Sequence, residues 1–162
     1  MAVLSEGAKT EIRRLVAQFP HRQSALLGAL FVAQGEAGYL RPDVVAEVAE
    51  ALDLPPSEVT SVASFYHLFH FEPVGREVIQ VCTNISCLLR GCHRVLRGFS
   101  EYLQIDVGQT TTDGAYTLRT AECLAACDEA PVIMVGTERY GPVTADGVDD
   151  VLARHARKQG RR

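Results

Sequence analysis

Four of the five cysteines in this 162-residue chain stand in two close pairs, and this spacing constrains the fold more than any other feature. Cys82 and Cys87 are separated by four residues, Cys123 and Cys127 by three, and 35 residues lie between the pairs. Thiolates are soft ligands that select zinc or iron-sulfur clusters. The pattern therefore predicts a metal site to which two separate loops each contribute two thiolates.

Zinc and iron-sulfur clusters are both compatible with the two pairs. Zinc sites commonly place about two to four residues between ligands, so a structural zinc is admissible, although a Cys-x2-Cys knuckle is absent. Each iron of a [2Fe-2S] cluster takes two cysteines, which matches two separated pairs better than a cubane does. Thiol-disulfide exchange is a third reading, and the missing Cys-x2-Cys argues against it.

The residues that follow the first pair predict one amphipathic helix. Cys92 shares its apolar face with Val95, Leu96 and Phe99, so we expect Cys92 to pack in the core and not to act as a fifth ligand. Cys87 should lie near the N-terminus of this helix, where backbone N–H groups and the helix dipole favour a thiolate.

Two further groups of residues could be given a function, and each has a structural alternative. Arg90, Arg94 and Arg97 form a basic helical face, which either is solvated or meets an acidic surface of a partner. The five histidines lack the paired spacing that a Rieske centre requires. We expect structural or solvent-facing roles for the histidines.

The first half of the chain has a helical pattern from Ser5 to about Phe71. Four short helices are predicted, with breaks at Pro20, at Gly38 and at Pro55-Pro56. The aromatic residues of the fourth helix, Phe65, Tyr66 and Phe69, are expected in the core. The N-terminal half is therefore predicted to be a small helical bundle.

The second half changes to strands and helices. An apolar run from Val78 to Val81 leads into Cys82, Asp113-Gly114 predicts a turn, and Val132 begins a second apolar strand. The predicted fold class is α+β, with a helical bundle at residues 1–75 and a thioredoxin-like domain with a small mixed sheet at residues 76–156. Residues 157–162 have too little apolar content to pack and are predicted to be a disordered tail.

Charge and hydropathy exclude several classes of function. The chain has a net charge of −4, and its 16 basic residues are scattered along the sequence, so nucleic acid is not expected as a partner. No apolar stretch is long enough to insert into a membrane, and charged residues interrupt the start of the chain where a signal peptide needs an apolar centre. We therefore expect a cytoplasmic protein, held at the inner membrane only through partner subunits.

Nucleotide-binding and catalytic motifs are missing from the sequence. No Gly-x-Gly-x-x-Gly, no Gly-x4-Gly-Lys-Ser/Thr loop and no catalytic triad can be assembled, so no catalytic residue is assigned. A redox centre without its own substrate site passes electrons between other groups. The chain is therefore expected to be a subunit that is not catalytic alone.

Several segments resemble the NuoE-type family of thioredoxin-like [2Fe-2S] ferredoxins, and the resemblance spans nearly the whole chain. It is carried by Gly38-Tyr39-Leu40, by Val62-Ala63-Ser64-Phe65-Tyr66, by Val81-Cys82 through Cys87, and by Glu122-Cys123-Leu124-Ala125-Ala126-Cys127 with Ala130-Pro131. The sequence departs from the family pattern at Ala125, where glycine is common, and at Cys92, where a small residue is usual.

The resemblance implies a function and a set of partners. Cys82, Cys87, Cys123 and Cys127 match the family's ligands, which implies one [2Fe-2S] cluster. The implied function is electron transfer in NADH:quinone oxidoreductase (complex I), next to a NuoF-like flavoprotein that binds FMN and NADH and among further subunits of the same complex. The equivalent subunit of an NAD-linked hydrogenase or formate dehydrogenase is one alternative, and a structural zinc module for assembly is another.

Overall fold

The computed structural model describes residues 3–160, which divide into two compact units, one up to Pro73 and one from Val74 onward. The sequence placed this boundary at residues 72 to 76. Seven α-helices and four β-strands lie in residues 3–160. Within the same residues, no helix is both long enough and apolar enough to cross a membrane.

The N-terminal unit consists of helices. These are α1 Glu6–Val16, α2 Leu26–Ala37, α3 Pro42–Leu52 and α4 Pro56–Phe65, with a 3-10 turn at Arg22–Ala25. Ser5 caps α1 by accepting a hydrogen bond from the Ala8 amide, and proline occupies the first turn of α3 and α4, where no N–H partner is needed. Gly38 ends α2 with a φ of 80°.

One apolar face of each helix forms the core of this unit, which confirms the predicted bundle. The most deeply buried side chains are Ile12, Leu30, Leu40, Val44, Val48, Leu52 and Val59. The expectation for the aromatic residues is only partly correct. Phe69 is buried and its ring lies against that of Phe31, tilted by 49° at a centroid distance of 4.9 Å, whereas Phe65 is 79% exposed and Tyr66 is 37% exposed. The reason is that α4 ends at Phe65, so the helical spacing does not continue.

The C-terminal unit is built on a mixed sheet. Its strands are β1 Glu77–Cys82, β2 Tyr116–Ala121, β3 Ile133–Val135 and β4 Glu138–Tyr140, in the order β2-β1-β3-β4. β1 and β2 are parallel, while β3 is antiparallel to both β1 and β4. β4 was not predicted, because Glu138-Arg139-Tyr140 has no apolar alternation.

The helices of this unit are α5 Ile85–Leu89, α6 Cys92–Leu103 and α7 Val148–Gln159. Their apolar faces share one core with β1, β2 and β3, in which the most deeply buried residues are Ile79, Val81, Cys92, Phe99, Leu118, Ile133 and Val135. Gly98 of α6 allows close packing, because a Cβ there would lie 2.8 Å from the carbonyl oxygen of Ala145. The predicted α+β fold class is confirmed.

The predicted disordered tail is wrong for residues 157–159, because α7 continues to Gln159. Polar contacts hold its last turn: Lys158 Nζ lies 2.9 Å from Glu138 Oε2, and Gln159 Nε2 lies 3.3 Å from Glu77 Oε1. The prediction considered only the low apolar content of the tail, and apolar content does not reveal polar contacts of this kind. Arg161 and Arg162, the end of the predicted tail, lie outside the described residues.

Candidate functional site

The parallel pairing of β1 and β2 starts the two cysteine-bearing loops side by side. Cys82, the last residue of β1, is in register with Ala121, the last residue of β2. The Thr83 amide donates to the Ala121 carbonyl at 2.9 Å, and Cys82 Sγ lies 3.9 Å from the carbonyl oxygen of Glu122. Because Glu122 immediately precedes Cys123, the loop that carries the second pair starts against the sulfur of the first.

The first pair is buried. Cys82 ends β1, and its amide donates to the Val132 carbonyl at 3.0 Å. Cys87 lies in α5, which Asn84 caps by accepting the Ile85 amide at 2.8 Å. Both sulfur-bearing residues belong to the core of the C-terminal unit. These two cysteines are therefore fixed by a strand end and a capped helical turn.

The pKa of Cys87 is raised to about 11, chiefly by burial and in part by a hydrogen bond with the neighbouring Cys82 thiol, whereas a hydrogen bond with the Val132 backbone opposes the shift. At neutral pH the Cys87 thiol is accordingly protonated in the cluster-free chain. Since a metal takes up the thiolate, metal binding at Cys87 must release this proton. The contact with Val132 had no signal in the sequence, because a backbone group 45 positions further along the chain makes it.

The helix predicted after Cys87 is in fact two helices. Cys87 is the third residue of the five-residue α5, and the longer α6 begins only at Cys92. Gly91 separates them with a φ of 86°, a conformation that disfavours side chains other than glycine. The expected position of Cys87 near a helix N-terminus therefore holds for α5 and not for the long helix.

The second pair lies on an exposed loop. Cys123 and Cys127 are exposed, whereas Leu124 and Ala126 between them pack against the core that holds Cys82 and Cys87. The Ala125 amide donates to Cys123 Sγ at 3.4 Å, and Cys127 starts a 3-10 turn that ends at Glu129. The alternate residues thus anchor the loop while both cysteines remain open to solvent.

Ala125 adopts a φ of 52°, in the left-handed region. For a residue with a Cβ this conformation costs about 1–2 kcal/mol. The structure therefore gives a physical reason why glycine is common at this position in the family that the sequence resembles. The loop tolerates alanine here at a cost in stability.

Cys92 is buried in the core, as predicted. Burial raises the pKa of its thiol, and the charged form of Cys82 would raise it further. The fifth cysteine is thus close enough to Cys82 to sense its charge, which sequence spacing did not indicate. Its fully buried position at the start of α6 supports a packing role.

The residues fit the two-iron cluster that the spacing favoured. Among residues 3–160, no three cysteine, histidine or acidic side chains converge tightly enough to hold one metal ion. The thiolates come as two pairs on loops that meet at Glu122, and each iron of a [2Fe-2S] cluster takes two cysteines. The donor chemistry and this division into pairs both match the two ends of such a cluster.

Known proteins resemble this chain over most of its length. The sequence profile of the thioredoxin-like [2Fe-2S] ferredoxin family matches residues 12–156. An E-type subunit of the NADH-quinone oxidoreductase of Rhizobium meliloti (strain 1021) is 44% identical over 144 residues, which cover 89% of this chain and 86% of the relative. The NADP-reducing hydrogenase subunit HndA of Solidesulfovibrio fructosivorans is 35% identical over 154 residues, covering 95% and 90% of the two chains.

A solved structure shows the same fold in a larger protein. A chain of the NAD+-reducing [NiFe]-hydrogenase in the H2-reduced state matches with a TM-score of 0.65 and 24% identity. The match covers 77% of this chain and 21% of the hydrogenase chain, so it concerns the fold alone. The cofactor for which the matching family is named is the [2Fe-2S] cluster that the cysteine spacing favoured. With the family profile spanning most of its length, this chain belongs to the thioredoxin-like [2Fe-2S] ferredoxin family.

Proposed function

We propose that this chain is the one-electron carrier subunit of an NADH-oxidising complex, with one [2Fe-2S] cluster held by Cys82, Cys87, Cys123 and Cys127. The observation that carries the proposal is that the two cysteine-bearing loops start side by side at the carboxyl ends of β1 and β2, where Cys82 Sγ lies 3.9 Å from the carbonyl oxygen of Glu122. When bound, the cluster accepts and releases a single electron.

The side chains give the two ends of the site different surroundings. Cys82 and Cys87 would hold the inner end, which the core shields from water. Cys123 and Cys127 would hold the outer end, where their exposure gives access to solvent. The Ala125 amide that donates to Cys123 Sγ stabilises negative charge on that sulfur, and hydrogen bonds of this kind raise the reduction potential of a cluster.

The relatives support the class of complex in which the chain works. One is a subunit of an NADH-quinone oxidoreductase, and the other is a subunit of an NADP-reducing hydrogenase. We infer that the electron partner is a NuoF-like flavoprotein carrying FMN and binding NADH, within complex I or within the equivalent part of a hydrogenase or formate dehydrogenase. The chain would be cytoplasmic and reach the inner face of the membrane through other subunits.

Stopped-flow reduction tests this function. The iron-loaded chain is mixed anaerobically with NADH and a catalytic amount of the purified NuoF-like flavoprotein from the same organism, and the visible absorption of the cluster is followed. We expect bleaching that requires both NADH and the flavoprotein. A cluster that dithionite reduces but that NADH and the flavoprotein leave oxidised would contradict the proposed function.

A further inference from the structure

The outer face of α5 exposes apolar side chains directly behind a buried cysteine. Ile85, Leu88 and Leu89 are 68%, 45% and 82% exposed, while Cys87 of the same helix faces the core. An exposed group of large apolar side chains marks a candidate contact surface on a soluble protein. An α-helix with its side chains is about 10–12 Å across, so a molecule seated on this face would lie within about one helix diameter of Cys87.

Three arginines border this apolar group. Arg90 follows α5 directly, and Arg94 and Arg97 lie on the exposed side of the first two turns of α6. The Arg94 side chain folds back toward the corner between the helices. Its Nη2 atom is so close to Gly91 that a Cβ added there would lie 2.8 Å away. The guanidinium group therefore lies beside Gly91, in the corner between α5 and α6. We call the set of Ile85, Leu88, Leu89, Arg90, Arg94 and Arg97 the α5 surface.

The arginines of the α5 surface differ from other arginines of the chain. Within residues 3–160 none of the three forms an ion pair. Arg139 and Arg154 of the same unit, by contrast, each lie within 4 Å of a carboxylate oxygen. A local positive surface on a chain of net charge −4 favours the approach of an acidic partner toward this face.

We propose that the α5 surface docks an acidic protein surface with an apolar centre, carried by the flavoprotein that exchanges electrons with this chain. The proposal rests on the proposed function and adds to it the face of this chain that binds the flavoprotein. Arginines are enriched in protein interfaces, and desolvated apolar side chains at an interface centre supply much of its affinity. The α5 surface combines arginines and exposed apolar side chains around the helix that carries Cys87.

The charged part of the surface is tested with the iron-loaded full-length variant R90Q/R94Q/R97Q in the stopped-flow assay. The matched control is R139Q/R154Q/R157Q, which removes the same charge from other positions of the same unit. At low ionic strength we expect the first variant to lower the second-order rate constant of cluster reduction about tenfold and to flatten its salt dependence. The control should stay within about twofold of the wild type, and dithionite should reduce all three proteins equally.

The apolar part is tested with L88Q/L89Q, for which V107Q is the control because Val107 is also an exposed apolar residue of this unit. We expect L88Q/L89Q to raise the Kd for the flavoprotein about tenfold, mainly through faster dissociation, with an unchanged salt dependence. V107Q should leave the Kd unchanged.

Three results would overturn the docking proposal. If both triple variants slow reduction equally, general charge and not the α5 surface governs encounter. If the wild type binds phosphatidylserine vesicles and R90Q/R94Q/R97Q does not, while its reaction with the flavoprotein is unchanged, the surface serves a membrane. If even the wild-type cluster stays oxidised with NADH and the flavoprotein, the proposed function itself fails and the docking proposal falls with it.

Discussion

The two cysteine pairs that we propose to share one site are held in opposite ways. Cys82 and Cys87 come from a strand end and a capped helix and are buried among apolar side chains. Cys123 and Cys127 come from a loop with irregular backbone angles and are exposed. The first pair is positioned by the fold itself, whereas the second pair is positioned by Leu124 and Ala126, which anchor an otherwise open loop.

In the proposed redox site, this difference gives the two pairs separate roles. A buried pair fixes the cofactor and keeps water from one end, which requires thiolates to form at a place that disfavours charge. An exposed pair leaves its end open to the surroundings and depends on local hydrogen bonds, such as that from Ala125 to Cys123. Thiol reactivity, cluster loading and folding stability should therefore each respond differently at the two pairs.

The largest expected difference concerns thiol reactivity in the cluster-free chain. Because the thiolate is the reactive form, a pKa of about 11 leaves about one part in a thousand of Cys87 reactive at pH 8. We expect Cys123 and Cys127 to be alkylated by iodoacetamide at least about a hundredfold faster than Cys87. Mass spectrometry of peptides taken over time measures these rates, and equal rates would show that the first pair is not buried without the cluster.

Replacing single cysteines is expected to lower the bound iron about tenfold. Cys82→Ala, Cys87→Ala, Cys123→Ala and Cys127→Ala should each keep less than about a tenth of the cluster, because alanine offers no ligand atom. Iron analysis and visible absorption after reconstitution measure the amount of cluster that each variant retains. Cys92→Ala is the control and should keep its full cluster. A variant at any of the four positions with unchanged iron content would remove that residue from the ligand set.

The same variants separate the two pairs by their effect on folding. In cluster-free protein, Cys82→Ala and Cys87→Ala remove buried atoms and should lower the free energy of unfolding by about 1–2 kcal/mol. Cys123→Ala and Cys127→Ala remove exposed atoms and should change it by less than about 0.5 kcal/mol. Denaturant unfolding followed by circular dichroism compares them, and equal losses at both pairs would contradict the proposed difference.

The smallest effects test the backbone of the second loop. Ala125→Gly removes the strain at a φ of 52° and should raise the free energy of unfolding by about 0.5–1 kcal/mol. Ala126→Gly is the neighbouring control. Ala126 has a φ of −139° and is buried, so glycine there should lower the free energy of unfolding by about 1 kcal/mol. A lower free energy of unfolding for Ala125→Gly, as expected for Ala126→Gly, would show that the left-handed conformation of Ala125 is not strained.

The sequence predicted the elements around the site better than their ends. Val78 to Val81 and Val132 to Val135 are strongly apolar, and both were correctly predicted as strands. The division of the helix after Cys87 was missed, because the apolar face of α6 continues the pattern and Gly91 alone marks the corner. The end of α7 was missed because polar contacts from Lys158 and Gln159 to the sheet strands stabilise it.

The site, too, was predicted only in part from the sequence. Side-chain chemistry and spacing identified two cysteine pairs and favoured a two-iron cluster over structural zinc. The burial of one pair and the exposure of the other depend on tertiary packing, as do the contact of Val132 with Cys87 and the left-handed Ala125. Spacing along a chain cannot predict these features, because burial and the contact with Val132 depend on groups that only the fold brings together, and the conformation of Ala125 depends on the path of its loop.

The central claim is a [2Fe-2S] cluster held by one buried and one exposed cysteine pair, and metal and sulfide analysis of anaerobically purified protein tests it most directly. Iron, zinc and acid-labile sulfide are assayed on the sample whose visible spectrum is recorded before and after dithionite. We predict about two irons and two sulfides per chain, with reddish-brown absorption that bleaches on reduction. A colourless protein that contains one zinc and no sulfide, and that resists cluster reconstitution, would contradict the claim.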